Sequence, residues 1–187
     1  MTSVIAETDR GPAGVGIAPA SEAAVDALVR ACSPGSLRRR FFLPADPDPA
    51  DVLARYHRYL LASSPREVAV VALMRGLPVG LLNLAVLADG LVEAGVLVAD
   101  AWQRRGVAGL LIATELGSGR WAGWTVRATV QPDNRAMREL LRGQRIGVCR
   151  LVGIDRAQLD YDIALPPTGE TGPGREETWT SASSVSA

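Results

Sequence analysis

The chain has no lysine, a single histidine and only two cysteines. Each shortage removes a class of chemistry. A P-loop ends in Gly-Lys-Ser/Thr, so it is excluded, and every cationic side chain is an arginine. Cys32 and Cys149 lie far apart and neither has metal-ligand spacing around it, so neither a disulfide framework nor a metal site is expected. His57 would have to carry any serine or cysteine hydrolase triad alone, and no nucleophile elbow accompanies it; it reads as a half-exposed helix residue. The formal net charge is zero, which leaves no whole-molecule field for nucleic acid or an anionic membrane. No apolar run approaches ~18 residues unbroken, and the N-terminus has no basic stretch followed by an apolar core. A cytoplasmic protein with no nucleic-acid or membrane partner is expected.

What is present supports one domain. Hydrophobic residues make up 48% of 187, enough for a single core but not for two comfortable ones. Residues 1–14 are rich in Gly, Ala and polar residues without a period, residues 166–187 have the same character more strongly, and both are expected to be disordered tails around a domain at 15–165. VGIAPA, from Val15, reads as a strand. Ser21 then caps a helix whose apolar side is Val25, Leu28, Val29 and Cys32. SPGSLRRRFFLPADPDP, residues 33–49, reads as a long irregular connection, and Asp48 with Pro49 opens a second helix bearing Val52, Leu53, Tyr56, Tyr59 and Leu60.

The period then changes to that of strands: Glu67 to Met74, Val79 to Leu87 and Leu91 to Ala99, joined by turns at Arg75 to Pro78 and Ala88 to Gly90. Three strands without intervening helices imply antiparallel hairpins. A helix with Val107, Leu110, Leu111 and Thr114 follows, then a strand at Thr125 to Val130, and this crossover unit requires a parallel pair. Asn134 caps a short helix with Met137, Leu140 and Leu141, and strands at Val148 to Ile154 and Gln158 to Leu165 finish the domain. The fold class is α/β in the mixed α+β sense, a mostly antiparallel sheet flanked by helices.

The most informative segment is QRRGVAG, Gln103 to Gly109. Gly106, Ala108 and Gly109 are small residues at a helix start, where backbone N–H groups lack partners and the helix dipole is positive. Such a site suits a diphosphate, with Arg104 and Arg105 adding charge from the rim. Close packing of the helix on a strand would also select small residues. A Rossmann site wants G-x-G-x-x-G after the first strand of an alternating series, and that pattern is absent.

Gln103-Arg104-Arg105-Gly106-Val107-Ala108 matches Q/R-x-x-G-x-G/A, and with the order of elements the chain resembles the GNAT superfamily of N-acetyltransferases. SLRRRFF and VEAGVLVADAWQRRG are nearest in character to the bacterial protein-lysine acetyltransferases of that group. The resemblance implies acetyl-CoA as cosubstrate and an amine acceptor, a protein lysine or a small molecule. It implies that Val96, Leu97 and Val98 lend backbone groups to the pantetheine arm, and that Gln103, Arg104, Arg105, Gly106, Val107, Ala108 and Gly109 hold the pyrophosphate. It also implies that the strands at Leu91 to Ala99 and Thr125 to Val130 splay apart, and that Asn134 contacts the pantetheine region. Asn134 is equally a good N-cap. Where many relatives carry a general-acid tyrosine on the last helix, this chain has Leu140-Leu141.

An amine of pKa ~10.4 is roughly one part in a thousand neutral near pH 7.4, so a base is useful. Glu93, the only carboxylate in the run Leu91 to Ala99, is the candidate; the alternative is an ordinary charge at a strand end. Arg38, Arg39 and Arg40 with Phe41 and Phe42 line an acceptor entrance or form a solvated turn held by two buried rings. Trp102, Trp121 and Trp124 are expected to pack the crossover helix onto the sheet. An acyl-CoA sensor without turnover and a plain interaction module remain as competing functions, and a homodimer is left open.

Overall fold

A computed structural model describes residues 14–61 and 67–167. The tails expected at 1–14 and 166–187 lie outside these residues except for Gly14, Pro166 and Pro167. The order of elements is β1 (Val15–Pro19), α1 (Glu22–Arg30), α2 (Pro34–Phe41), α3 (Pro49–Leu60), β2 (Glu67–Met74), β3 (Leu77–Ala88) and β4 (Leu91–Val98). After a 3-10 turn at Asp100–Trp102 come α4 (Val107–Leu116), β5 (Thr125–Val130), α5 (Arg135–Gly143), β6 (Val148–Ile154) and β7 (Leu159–Ala164). The sheet has seven strands in the order β1-β2-β3-β4-β5-β7-β6. Every pairing is antiparallel except β4 with β5, which α4 crosses over to join in parallel.

Local chemistry fixes most helix starts. Ser21 accepts the Ala24 N–H at 3.3 Å, Asp48 the Ala50 N–H at 2.7 Å and Asn134 the Met137 N–H at 3.2 Å. β3 begins at Leu77, earlier than the sequence suggests, because the hairpin turn needs only Arg75 and Gly76, both with positive φ.

One expectation is corrected. Residues 33–49 are not irregular throughout, since Pro34–Phe41 form α2. Ser33 is its N-cap, accepting the Ser36 N–H at 3.3 Å, and Pro34 sits in the first turn where a missing N–H costs nothing. Phe42 closes the helix in the left-handed region at φ 53. The two phenylalanines also differ from the picture of paired buried rings: Phe41 stacks on Tyr56 at 4.4 Å, whereas Phe42 is 39% exposed.

Two apolar layers sandwich the sheet. Under α1, α2 and α3 lie Val25, Leu28, Leu37, Val52, Leu60, Val71, Leu81 and Leu97. The opposite face joins Leu82, Leu84 and Val92 to Val107, Leu111 and Trp121, and to Val126, Tyr161 and Ile163 farther along the sheet. β3 feeds both layers, which is why it reads as a continuous apolar run rather than an alternation. Trp121 is buried beneath α4, meets Trp124 edge-on at 5.5 Å and donates to Glu115 Oε1 at 3.1 Å, as its expected packing role requires.

Candidate functional site

The parallel pair β4 and β5 is hydrogen-bonded over only three register positions, Leu91 with Thr125, Val92 with Val126 and Glu93 with Arg127. Beyond Glu93 the two strands separate. On its other edge β4 stays paired with β3 as far as Val98, so the N–H and C=O groups it turns toward β5 from Ala94 onward have no ladder partner there. The gap opens into a cleft of about 630 Å³, a volume suited to a small molecule or cofactor arm.

One end of the cleft is the start of α4. Gly106 is its N-cap, at φ 82 and ψ −1, a conformation that glycine adopts without the clash a Cβ would bring. No side chain caps this helix, so the amides of its first turn stay unclaimed, and Gly106, Val107, Ala108 and Gly109 all line the cleft. Arg104, also at positive φ, lines it too. Arg105 does not: its guanidinium lies over the Trp102 ring, 5.2 Å from the centroid. Small residues have a packing duty here as well. On β3 a Cβ at Gly80 would stand 2.7 Å from Val107 Cγ1, so the helix start presses directly on the sheet.

Gln103 braces the loop. Its amide nitrogen donates to Val98 O at 3.1 Å and to Ser36 Oγ at 3.0 Å, tying the end of β4 to α2. Asp100 completes this network by accepting from Ser33 N at 2.6 Å, Ser33 Oγ at 2.8 Å and Ser36 Oγ at 2.9 Å. Partial burial opposes the charge on Asp100, yet the donors from Ser33 and Ser36 outweigh it and hold the carboxyl below its usual range. None of Ser33, Ser36 and Asp100 was singled out from sequence, although Ser33-Pro34 carries a readable N-cap signal. Because the folded pKa is lowered, the stabilisation is present above the ordinary aspartate range and lost as pH falls through the folded value. Asp100→Asn is therefore expected to lower the Tm by a few degrees at pH 7, with the gap to wild type closing below about pH 4. Paired melting curves from pH 3 to 7 test this; a gap independent of pH would mean that the charge is not what holds α2.

The far wall brings further groups. Val96 and Val98 pack toward the α4 side, Leu97 is buried on the α1–α3 side, and all three line the cleft. Asn134 lines it from the start of α5 while serving as the N-cap. Glu93 is half-buried and does not line the cleft; it sits at the last paired position before the strands part, beside Arg127. Arg127 is engaged in a two-point bridge to Asp162, Nε to Oδ1 and Nη2 to Oδ2, both at 2.8 Å. That bridge, with smaller contributions from Asp160 and Glu93, raises the Arg127 pKa. Of the arginine run, Arg38 bridges Asp46 at 2.9 Å, while Arg39, Arg40 and Phe42 line the cleft.

Other chemistries find no support. Burial and the neighbouring Asp100 push the Cys32 thiol up to about 12, so it supplies no thiolate at neutral pH. His57 faces Asp26 across 3.3 Å on the outer helices. Among the described residues no three His, Cys, Asp or Glu side chains gather in a metal-binding group, and no helix is long and apolar enough to cross a membrane.

No protein-family model and no curated protein matches the sequence. Solved structures do match the fold. The GNAT domain of PAT from S. lividans superposes with a TM-score of 0.63 at 20% identity, over 81% of this chain and 90% of that one. A phosphinothricin acetyltransferase of the GNAT superfamily from Sinorhizobium meliloti, in complex with acetyl-CoA, gives 0.59 at 16% identity, over 86% and 94%. YncA from Salmonella typhimurium, a putative acetyltransferase with its cofactor acetyl-CoA, gives 0.58 at 18%, over 86% and 98%. The fold is the GNAT fold. The splayed parallel pair and the uncapped α4 are thus elements of a GNAT architecture spanning nearly the whole described chain.

Proposed function

We propose that this chain is an acyl-CoA-dependent N-acyltransferase that moves an acetyl group from acetyl-CoA directly onto an amine, of a protein lysine or of a small molecule. The observation that carries the proposal is the cleft itself, which runs from an uncapped helix start along the unpaired edge of β4. Amides of residues 106–109 suit a diphosphate, Arg104 adds charge, and the β4 backbone groups left without a ladder partner from Ala94 onward, apart from the Val98 carbonyl that Gln103 holds, suit the amides of a pantetheine arm. Acetyl-CoA supplies the activated thioester. Glu93, where the strands part, is the proposed acceptor of the proton that the amine loses as its C–N bond forms and the C–S bond breaks. The leaving thiol has a pKa near ~8.5 and departs without a strong acid, so Leu140 and Leu141 in place of a tyrosine are compatible with turnover. The same two leucines favour a second reading, an acyl-CoA sensor without turnover. The cytoplasm is the expected location.

Acetyl-CoA or CoA should raise the melting temperature, with a stabilisation of about 2.7 kcal/mol at a hundredfold excess over Kd. NAD and ATP should do far less. A melting curve unmoved by millimolar CoA, in folded and ligand-free protein, removes both CoA readings. Radiolabelled acetyl-CoA incubated with lysate, then separated into protein and small-molecule fractions, distinguishes transferase from sensor and sorts the acceptors.

A further inference from the structure

Arg40 lies against the cleft wall in an unusual way. Its guanidinium rests on Gly95 of β4, where a methyl group would coincide with Nη2 and stand 3.0 Å from Nη1. The absent side chain is what admits it. Nη2 donates to Oδ1 of the buried Asn83 at 2.6 Å and to the Tyr59 hydroxyl at 3.3 Å, and the Phe41 and Tyr59 rings flank it with centroids at 5.2 and 5.4 Å. These contacts fix the orientation but neutralise nothing. Among the described residues no carboxylate comes within ion-pair distance of Arg40, Nη1 makes no hydrogen bond, and Nε is sealed from solvent without a partner. Arg38 and Arg127, by contrast, each have a carboxylate.

A half-buried, immobilised guanidinium without a counter-ion is tolerated while water fills the cleft. Once ligands expel that water, a neutral neighbour leaves the charge stranded and a carboxylate pairs with it. Gly95 lies two residues beyond Glu93 on the same face of β4, so Arg40 stands beside the place where, on the function proposed above, thioester and amine meet.

We propose that Arg40 is a specificity residue that binds a carboxylate close to the reacting atoms, carried either by the acyl group, as in a dicarboxylic acyl-CoA, or by the amine acceptor. The proposal rests on the acyl-CoA reading of the cleft.

Two comparisons separate the sources. For the acyl group, titration calorimetry compares succinyl-CoA with butyryl-CoA, which differ in a terminal carboxylate against a methyl. For the acceptor, initial rates with acetyl-CoA compare amino acids with their amides, corrected for the fraction of neutral amine. One of the two should favour the carboxylate by about tenfold or more, the size of a charge-assisted hydrogen bond. Arg40→Gln should bring that ratio within about threefold and Arg40→Lys should restore part of it, while the Kd of CoA itself stays unchanged. Gly95→Ala, which displaces the guanidinium from the strand side, should likewise bring that ratio within about threefold and covers the case in which Arg40→Gln does not fold. Ratios near one in both comparisons, or a preference that survives Arg40→Gln, overturn the proposal while leaving the acyl-CoA reading intact. Failure of the wild type to bind CoA removes both.

Discussion

Gly106→Glu is expected to abolish CoA binding in a protein that still folds. Gly106 is the left-handed N-cap of α4 and lines the cleft beside the unclaimed amides. A glutamate there places bulk against the diphosphate position and a like charge within about 4 Å, a repulsion of roughly 1–4 kcal/mol per charge pair before the steric exclusion is counted. Affinity should fall by about a hundredfold or more. The left-handed backbone adds strain of about 1–2 kcal/mol for any residue with a Cβ, so Gly106→Ala is the control. It carries the strain without the charge and should keep most of the affinity. Calorimetry on both variants, with circular dichroism for folding, checks this. Wild-type affinity in folded Gly106→Glu would place the diphosphate elsewhere.

Glu93→Gln is expected to reduce kcat by roughly 10²–10³, the ordinary contribution of one general base, with CoA affinity within a few-fold of wild type. Glutamine keeps the size and much of the hydrogen bonding but cannot take the proton. Near neutral pH almost all of an amine of pKa ~10.4 is protonated, so the loss should be greatest there and shrink as rising pH supplies neutral amine unaided. Glu93 borders the opening of the strands without lining the cleft, and its electrostatic partner Arg127 is already held by Asp162. A wild-type rate across pH 6.5 to 9.5 would return Glu93 to an ordinary strand charge and make bulk water or another group the base.

Much of this fold was legible because its signals are local. Glu67–Met74, Thr125–Val130 and Val148–Ile154 form strands with the bounds their side-chain pattern gives. Ser21, Asp48 and Asn134 cap the helices they precede. α2 escaped for the opposite reason. PGSLRRRF has one fully buried apolar residue, Leu37, too few for a period, and part of what secures the helix is Asp100, 67 positions from Ser33. The same separation hid the loop brace, since Gln103 reaches Ser36 across 67 residues.

The sequence by itself determined every strand and every helix but α2, their order along the chain, the parallel crossover and the small-residue helix start, because spacing, caps and side-chain size act within a few residues. Only the tertiary structure decided where β4 and β5 part, since that depends on how far their ladder runs before α4 and α5 intervene. It alone also decided which charges meet at that opening. Arg40 reaches Asn83 from 43 positions away and needs the bare face of Gly95 to lie on, a juxtaposition that no local pattern records.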